Sequence, residues 1–121
     1  MTFNILNNDI SEIERADKSL EIKNQIEALL ASAKIVLFMK GNSQMPQCGF
    51  SANSIAILKS LGASFKTFNI LNDQEIRQGL KEYSNWPTFP QLYVGGKLIG
   101  GNDIITEMYQ SGELQEYLKA N

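Results

Sequence analysis

Histidine is absent from this chain of 121 residues, and cysteine occurs only once, as Cys48. Without an imidazole the chain cannot form a Ser-His-Asp or Cys-His catalytic pair, nor a metal site built on histidine. A single thiol cannot close a disulfide within the chain, so folding does not depend on an oxidising compartment. The Cys48 thiol therefore becomes the first candidate for any chemistry.

Long apolar runs and basic stretches are also missing. No segment approaches the roughly 18 consecutive apolar residues of a membrane span. The net charge of −2 provides no basic surface for phosphates, so we expect neither a membrane nor a nucleic acid as a partner. Residues 1–18 lack the basic and apolar regions of a secretory signal, and their acids disfavour a transit peptide, so we expect a cytoplasmic protein.

The length fits one domain preceded by a short extension. Residues 1–18 show no clear hydrophobic period, and we interpret them as a partly ordered extension of unknown role. Residues 19–121 form the predicted domain. Its first helix is predicted to begin behind a Ser19 cap and to end near Ser32, because apolar residues recur there at helical spacing.

The middle of the chain predicts a strand, a helix and a second strand. The run Ile35–Met39 is continuously apolar, which is typical of a central strand buried on both faces. A helix is predicted to begin at or just after Cys48 and to end near Leu61, closed by Gly62. The next strand is predicted over Phe65–Ile70.

The remaining elements follow from turn and cap residues. Asn72, with Glu75 three positions later, predicts the cap of a third helix. Gly95-Gly96 predicts a hairpin turn between two antiparallel strands. Asn102 and Asp103 are predicted to cap a final helical region interrupted at Gly112. The order α-β-α-β-α-β-β-α indicates an α/β, thioredoxin-like fold, with a four-stranded mixed sheet flanked by helices.

Cys48 stands between a polar loop and a predicted helix start. A helix N-terminus favours a thiolate and can lower a thiol pKa from about 8.5 to roughly 3.5–7.5. Lys40, at the end of the central strand, would add a second positive charge. A lone cysteine is more commonly a small buried hydrophobe, so these residues alone leave both interpretations open.

Four motifs in order resemble those of the monothiol glutaredoxins of the Cys-Gly-Phe-Ser type, and the resemblance runs from about Lys23 to the C-terminus. The motifs are Met39-Lys40-Gly41, Pro46-Gln47-Cys48-Gly49-Phe50-Ser51, Trp86-Pro87-Thr88-Phe89-Pro90-Gln91 and Gly100-Gly101-Asn102-Asp103. Ser51 replaces the resolving cysteine of Cys-x-x-Cys, which excludes a two-thiol disulfide reductase. Many relatives carry a second cysteine where Asn102 stands, so we do not expect redox sensing through a cysteine pair.

The resemblance implies a glutathione groove beside Cys48. Lys40 and Arg77 would pair with the glycine carboxylate of glutathione, assisted by Gln47. Phe89, before a cis Pro90, would offer its main chain to the cysteinyl part. The helix start at Asn102-Asp103 would receive the γ-glutamyl end, with Asp103 taking its amine. The implied groove also includes Phe50, Thr88, Pro90 and Gly101.

Taken singly, these residues also fit structural roles as solvated charges, turn glycines or a helix cap. The four motifs together favour a functional role for Lys40, Cys48, Phe89 and Asp103.

The resemblance further implies that Cys48 ligates a [2Fe–2S] cluster that bridges a homodimer. Such a cluster takes four thiolates, which two chains and two glutathiones would supply. The implied function is iron-sulfur cluster assembly and transfer, with BolA-type proteins and iron-sulfur recipient apoproteins as partners. The alternative is a glutathione-dependent thiol-disulfide oxidoreductase that uses Cys48 as its sole nucleophile. Enzymatic turnover therefore stays open, and the carrier role is favoured.

Overall fold

Four short strands form one mixed sheet in the computed structural model, which describes the backbone of residues 2–121 and the side chains of residues 11–121. The strands are β1 (Ile35–Met39), β2 (Lys66–Asn69), β3 (Gln91–Val94) and β4 (Lys97–Gly100). They lie in the order β2-β1-β3-β4, with β1 and β2 parallel and the other neighbours antiparallel. The predicted sheet and the thioredoxin-like fold are confirmed.

Five helices and one 3₁₀ turn surround this sheet. The turn spans Ile70–Asn72, and the helices are α1 (Thr2–Ala31), α2 (Gly49–Ser60), α3 (Gln74–Ser84), α4 (Asn102–Ser111) and α5 (Glu113–Ala120). The predicted ends of α2 and α4 are confirmed, because Gly62 and Gly112 adopt φ values of +67° and +85° just after them. Within the described residues, no helix combines the length and the apolar character needed to cross a bilayer.

Strand β1 supplies both hydrophobic cores, as expected for a strand that is buried on both faces. Ile35, Leu37 and Met39 pack against α2, α4 and α5. Val36 and Phe38 pack against α1 and α3 on the opposite face. The sheet therefore separates two helical layers. The residues that follow β1 lie at the edge of the sheet, between these layers.

The first helix is much longer than predicted. It begins at Thr2, so Ser19 lies inside the helix, and the prediction that the helix begins behind a Ser19 cap is wrong. The physical reason is that residues 2–31 contain neither glycine nor proline, so nothing in them breaks a helix. Met1 lies outside the described residues, and the division into an extension and a domain stays a prediction.

Two predicted caps are also wrong. Asn72 ends the 3₁₀ turn, and the α3 cap is Asp73, whose carboxylate accepts a hydrogen bond of 3.0 Å from the Ile76 N–H. Helix α4 is preceded by Gly101, while Asn102 and Asp103 lie in its first turn. In both cases a neighbouring residue with extended backbone takes the cap position.

Candidate functional site

A groove with a volume of about 560 Å³ opens where β1 ends. Ten of the eleven predicted site residues line it: Lys40, Cys48, Phe50, Arg77, Thr88, Phe89, Pro90, Gly101, Asn102 and Asp103. Gln47 is exposed and is not among the lining residues. All the contributing segments meet at one edge of the sheet, because β1, β2 and β4 end there and β3 begins there.

Four further residues line this groove without having been predicted as site residues: Lys81, Trp86, Pro87 and Ile104. Lys81 follows Arg77 by four positions in α3, so both side chains project from the same helix face. That spacing is the sequence signal that identifies Lys81. Trp86 and Pro87 belong to a quoted motif, whereas Ile104 has no distinguishing signal.

Cys48 occupies the N-cap position of α2, with an extended backbone at φ −156° and ψ 137°. Its side chain is half-buried. The pKa of the Cys48 thiol lies below its ordinary value, chiefly because the Ser51 backbone N–H donates to the sulfur. Partial burial opposes this effect, while the Phe50 N–H and the charge of Lys40 reinforce it. The helix start thus stabilises the thiolate, as the sequence predicts.

The segment between β1 and α2 is held by hydrogen bonds to its backbone. The Lys40 N–H donates to Ser51 Oγ at 3.2 Å, and the Gly41 N–H donates to Asn69 Oδ1 at 3.0 Å. The Gln47 N–H donates back to the Lys40 carbonyl at 2.9 Å. Gly41 has φ +90°, and a Cβ there would lie 2.5 Å from the Met45 carbonyl oxygen. Only glycine therefore fits this turn beside Cys48.

Three cations line the groove: Lys40, Arg77 and Lys81. None of them forms an ion pair with a carboxylate among residues 11–121, where the ion pairs involve Lys18 and Lys23. Asp103 is the one carboxylate among the lining residues. The groove therefore carries a net positive charge that is available to an anionic ligand.

The segment before β3 forms one wall of the groove. The Phe89-Pro90 peptide bond is cis, as the resemblance implies. Buried Gln91 donates from Nε2 to the carbonyls of Trp86 and Thr88, at 3.1 and 3.3 Å, and accepts from the Tyr93 hydroxyl at 2.9 Å. The hydrogen bonds of this buried side chain fix the backbone of the segment that forms the wall.

The start of α4 forms the facing wall. No side chain caps it, and its first internal bond runs from the Ile105 N–H to the Gly101 carbonyl at 3.0 Å. The N–H groups of Asn102, Asp103 and Ile104 precede that bond, and all three residues line the groove. Free first-turn N–H groups attract carboxylates, so this wall provides an anion subsite.

Among the described residues, no group of three or more His, Cys, Asp or Glu side chains is placed to hold a metal ion. Cys48 is the only thiol in the chain. Any metal centre at this groove would therefore need ligands from outside the chain.

The family model described as Glutaredoxin matches residues 35–99. An uncharacterised monothiol glutaredoxin, ycf64-like, from Synechocystis is 57% identical over 82% of this chain and 92% of its own length. Monothiol glutaredoxin-S14, chloroplastic, from Arabidopsis thaliana is 55% identical over 79% of this chain. The match spans 56% of that protein's length, so the Arabidopsis protein extends well beyond the shared region.

Solved structures share the fold. The solution structure of reduced poplar apo GrxS14 has a TM-score of 0.73 and is 55% identical, covering 81% of this chain and 90% of that one. Poplar glutaredoxin C1, solved in its holo form, has a TM-score of 0.78 at 26% identity, over 86% of this chain and 92% of its own. The buckwheat glutaredoxin–glutathione complex, at 24% identity and a TM-score of 0.76 over 86% of this chain and 93% of its own, supports the fold alone.

Proposed function

We propose, because the chain belongs to the glutaredoxin family as a monothiol member of the Cys-Gly-Phe-Ser type, that it binds glutathione beside Cys48 and carries a [2Fe–2S] cluster for transfer to other proteins. The observation that carries the proposal is the groove itself. It combines the Cys48 thiol, three cations that form no ion pair among residues 11–121 and a helix start without a side-chain cap within about 560 Å³.

The chemistry of glutathione complements this groove. Glutathione carries two carboxylates and one ammonium group, and the groove offers Lys40, Arg77 and Lys81 together with the carboxylate of Asp103. The glycine carboxylate would pair with the cations of α3, where Arg77 can bind bidentately. The γ-glutamyl carboxylate would meet the free N–H groups of α4. Its thiol would then lie near Cys48.

The count of thiols supports a shared cluster. A [2Fe–2S] cluster takes four thiolate ligands, and this chain has one cysteine and no histidine. Two chains with two bound glutathiones complete the set, so we infer a homodimer in the cluster-bound state. The cluster is cargo in this scheme, because two of its four ligands are small exchangeable molecules. Recipient apoproteins, BolA-type partners and a cytoplasmic location stay predictions.

The lowered pKa of Cys48 also favours a second candidate function, glutathione-dependent reduction of mixed disulfides. In that reaction the Cys48 thiolate attacks the glutathione sulfur of a protein–glutathione disulfide and releases the protein thiolate. A second glutathione thiolate then attacks the glutathione sulfur of the new disulfide. This releases oxidised glutathione and restores the Cys48 thiolate, so the electrons come from glutathione.

Anaerobic reconstitution with iron, sulfide and glutathione tests the carrier proposal. We expect a brown dimer with one cluster for two chains and two glutathiones, measured by visible absorption, native mass and glutathione content. Omitting glutathione, or replacing Cys48 with serine, should leave a colourless monomer, because a hydroxyl is a poor ligand for an iron-sulfur cluster. Colour that forms without glutathione, or in Cys48→Ser, would contradict the ligand scheme. Turnover of a glutathionylated substrate without cluster uptake would favour the oxidoreductase.

A further inference from the structure

The side chain of Asn102 connects the helix of Cys48 to the helix that lines the opposite wall. Asn102 Oδ1 accepts hydrogen bonds from Asn53 Nδ2 at 2.8 Å and from Ser54 Oγ at 3.1 Å. Asn53 Nδ2 also donates to Thr106 Oγ1, one turn further along α4, at 2.9 Å. We propose that Asn102 is a positioning residue that holds the start of α4 at a fixed distance from Cys48, and that this link selects ligands bearing a γ-glutamyl group.

The inference rests on the proposed glutathione site and adds a determinant of its specificity. Asparagine near a helix start usually caps the helix, but the Asn102 side chain instead accepts hydrogen bonds from α2. The first-turn N–H groups therefore stay free for a ligand while the side chain fixes where they lie. One residue thus presents the anion subsite through its backbone and sets its position through its side chain.

Ser54 strengthens the dependence of α2 on Asn102, because Ser54 is fully buried. Its hydroxyl has Asn102 Oδ1 as its hydrogen-bond acceptor, and a buried hydroxyl that loses its partner has no water to replace it. Ser54 lies six residues after Cys48 in α2, a rise of about 9 Å. A shift of α4 at this contact would therefore change the separation between the thiol and the anion subsite.

The other side of the α4 start is fixed by close packing. A Cβ at position 101 would lie 3.3 Å from both the Pro90 carbonyl oxygen and Trp86 Nε1. Gly101 therefore sits against the wall formed by the segment before β3. With that contact on one side and Asn102 on the other, the start of α4 has little freedom to move.

Two of the variants that test this inference lie outside the groove, and the third, Asn102, lies in it. Asn53 and Ser54 do not line it, so Asn53→Ala and Ser54→Ala change the link without changing a ligand contact. Asn102→Ala removes the acceptor itself. Ser60→Ala is the matched control, because Ser60 Oγ also bonds α4, at Tyr109 OH over 3.3 Å, but at the far ends of both helices.

Calorimetric titration of each variant compares glutathione with cysteinylglycine, the same ligand without its γ-glutamyl group. We expect Ser54→Ala and Asn102→Ala to lower the affinity for glutathione about three- to tenfold, the range that one lost hydrogen bond produces. The affinity for cysteinylglycine should stay unchanged. The Ser54→Ala/Asn102→Ala double variant should lose no more than Asn102→Ala, because both changes break one interaction.

Each outcome has one consequence. Equal loss for both ligands would reveal general structural damage, and unchanged affinity for glutathione would show that the link is irrelevant; either result overturns the inference. A loss of the same size in Ser60→Ala would also overturn it. Asn53 is exposed, so Asn53→Ala provides a folded variant if Ser54→Ala proves unstable in urea. A wild-type chain that binds both ligands equally well would overturn this inference alone, whereas a wild-type chain that does not bind glutathione would overturn the proposed function.

Discussion

The pKa of the Cys48 thiol is lowered mainly by the backbone that follows it. The Ser51 N–H is the largest cause of its lowered pKa, ahead of the charge of Lys40. The folded thiol therefore titrates below the unfolded one, which has a pKa of about 8.5. Ionisation of Cys48 thus contributes stability above the unfolded pKa, and this contribution is lost as the pH falls through the folded pKa.

The first prediction concerns the rate of Cys48 alkylation as a function of pH. We expect a midpoint clearly below about 8.5 in the wild-type chain. Lys40→Gln should raise the midpoint by less than the remaining difference from a free thiol, because the Ser51 N–H persists. Iodoacetamide kinetics measure both values. A Lys40→Gln midpoint equal to that of free cysteine would assign the effect to the lysine instead.

The second prediction concerns Lys81, which the motifs do not include. Lys81→Ala should weaken glutathione binding at least about threefold, because a charge-assisted contact contributes roughly 1 kcal/mol or more. It should change the free energy of unfolding by less than about 1 kcal/mol, because an unpaired cation contributes little to stability. Lys97→Ala is the control, since Lys97 is exposed at the hairpin, at the opposite end of the sheet. Equal affinities in both variants would remove Lys81 from the site.

At the scale of elements, close backbone and side-chain contacts at two glycines constrain where the helices lie. The turn after β1 requires glycine at position 41, where a Cβ would lie 2.5 Å from the Met45 carbonyl oxygen and 2.6 Å from the Gln47 nitrogen. Helix α1 approaches α3 at Gly79, where a Cβ would lie 2.5 Å from Ile22 Cγ2. Each contact predicts a distinct substitution effect.

Gly41→Ala should destabilise the fold and slow Cys48 alkylation, because the turn that precedes α2 must move. We expect a loss of about 2–4 kcal/mol from positive φ and backbone contact together. Gly62→Ala separates these causes, since Gly62 also has positive φ but nothing lies within 4 Å of its would-be Cβ. Urea unfolding should show a smaller loss, near 1 kcal/mol, for Gly62→Ala. Equal losses would mean that the contact at position 41 is relieved without cost.

The effect of Gly79→Ala should depend on residue 22. Alone it should destabilise α1 packing by about 1–3 kcal/mol, because the Ile22 branch methyl cannot rotate away freely. In an Ile22→Ala background the same change should stabilise the chain by up to about 1 kcal/mol, the difference in helix propensity between alanine and glycine. Urea unfolding of the four chains completes the double-mutant cycle. The same sign in both backgrounds would contradict the assigned contact.

Periodicity and turn residues predicted the strands, the order of elements and the sheet, because apolar runs such as Ile35–Met39 leave few alternatives. Caps were less predictable. Asn72 and Asp73 are both good cap residues, and Asp73 is the α3 cap because Asn72 still belongs to the preceding 3₁₀ turn. Lys81 was missed because the resemblance supplied Arg77 alone, and the helical spacing from Arg77 to Lys81 was not used to extend the site along α3. The α1 start was missed because the described side chains before Ile22, residues 11–21, are exposed, so no core imposes an apolar period on them.

At the scale of the whole molecule, the groove is lined by residues from both helical layers. Arg77 and Lys81 come from the layer of α1 and α3, whereas Cys48 and Asp103 come from the layer of α2, α4 and α5. A bound ligand would therefore contact both layers. Because unfolding of either layer dismantles the groove, ligand binding should oppose unfolding of the chain as a unit.

Glutathione should therefore raise the free energy of unfolding according to simple linkage. At a concentration one hundred times its Kd, we expect a gain of about 2.7 kcal/mol. Urea unfolding at several glutathione concentrations measures this gain. Cysteinylglycine at the same concentration should give less. A gain that does not rise with the logarithm of glutathione concentration would show that glutathione does not bind selectively to the folded state.

Trp86 is the only tryptophan in the chain, and it lines the same groove as the only cysteine. Its indole N–H is buried without a hydrogen-bond partner among the described residues. The tryptophan emission of this protein consequently comes from a single indole in the same groove as the thiol, with no second tryptophan to obscure it. A ligand that binds in the groove should therefore change the tryptophan fluorescence of the unmodified chain. A thiol-reactive dye can attach only at Cys48, which lines the same groove as Trp86.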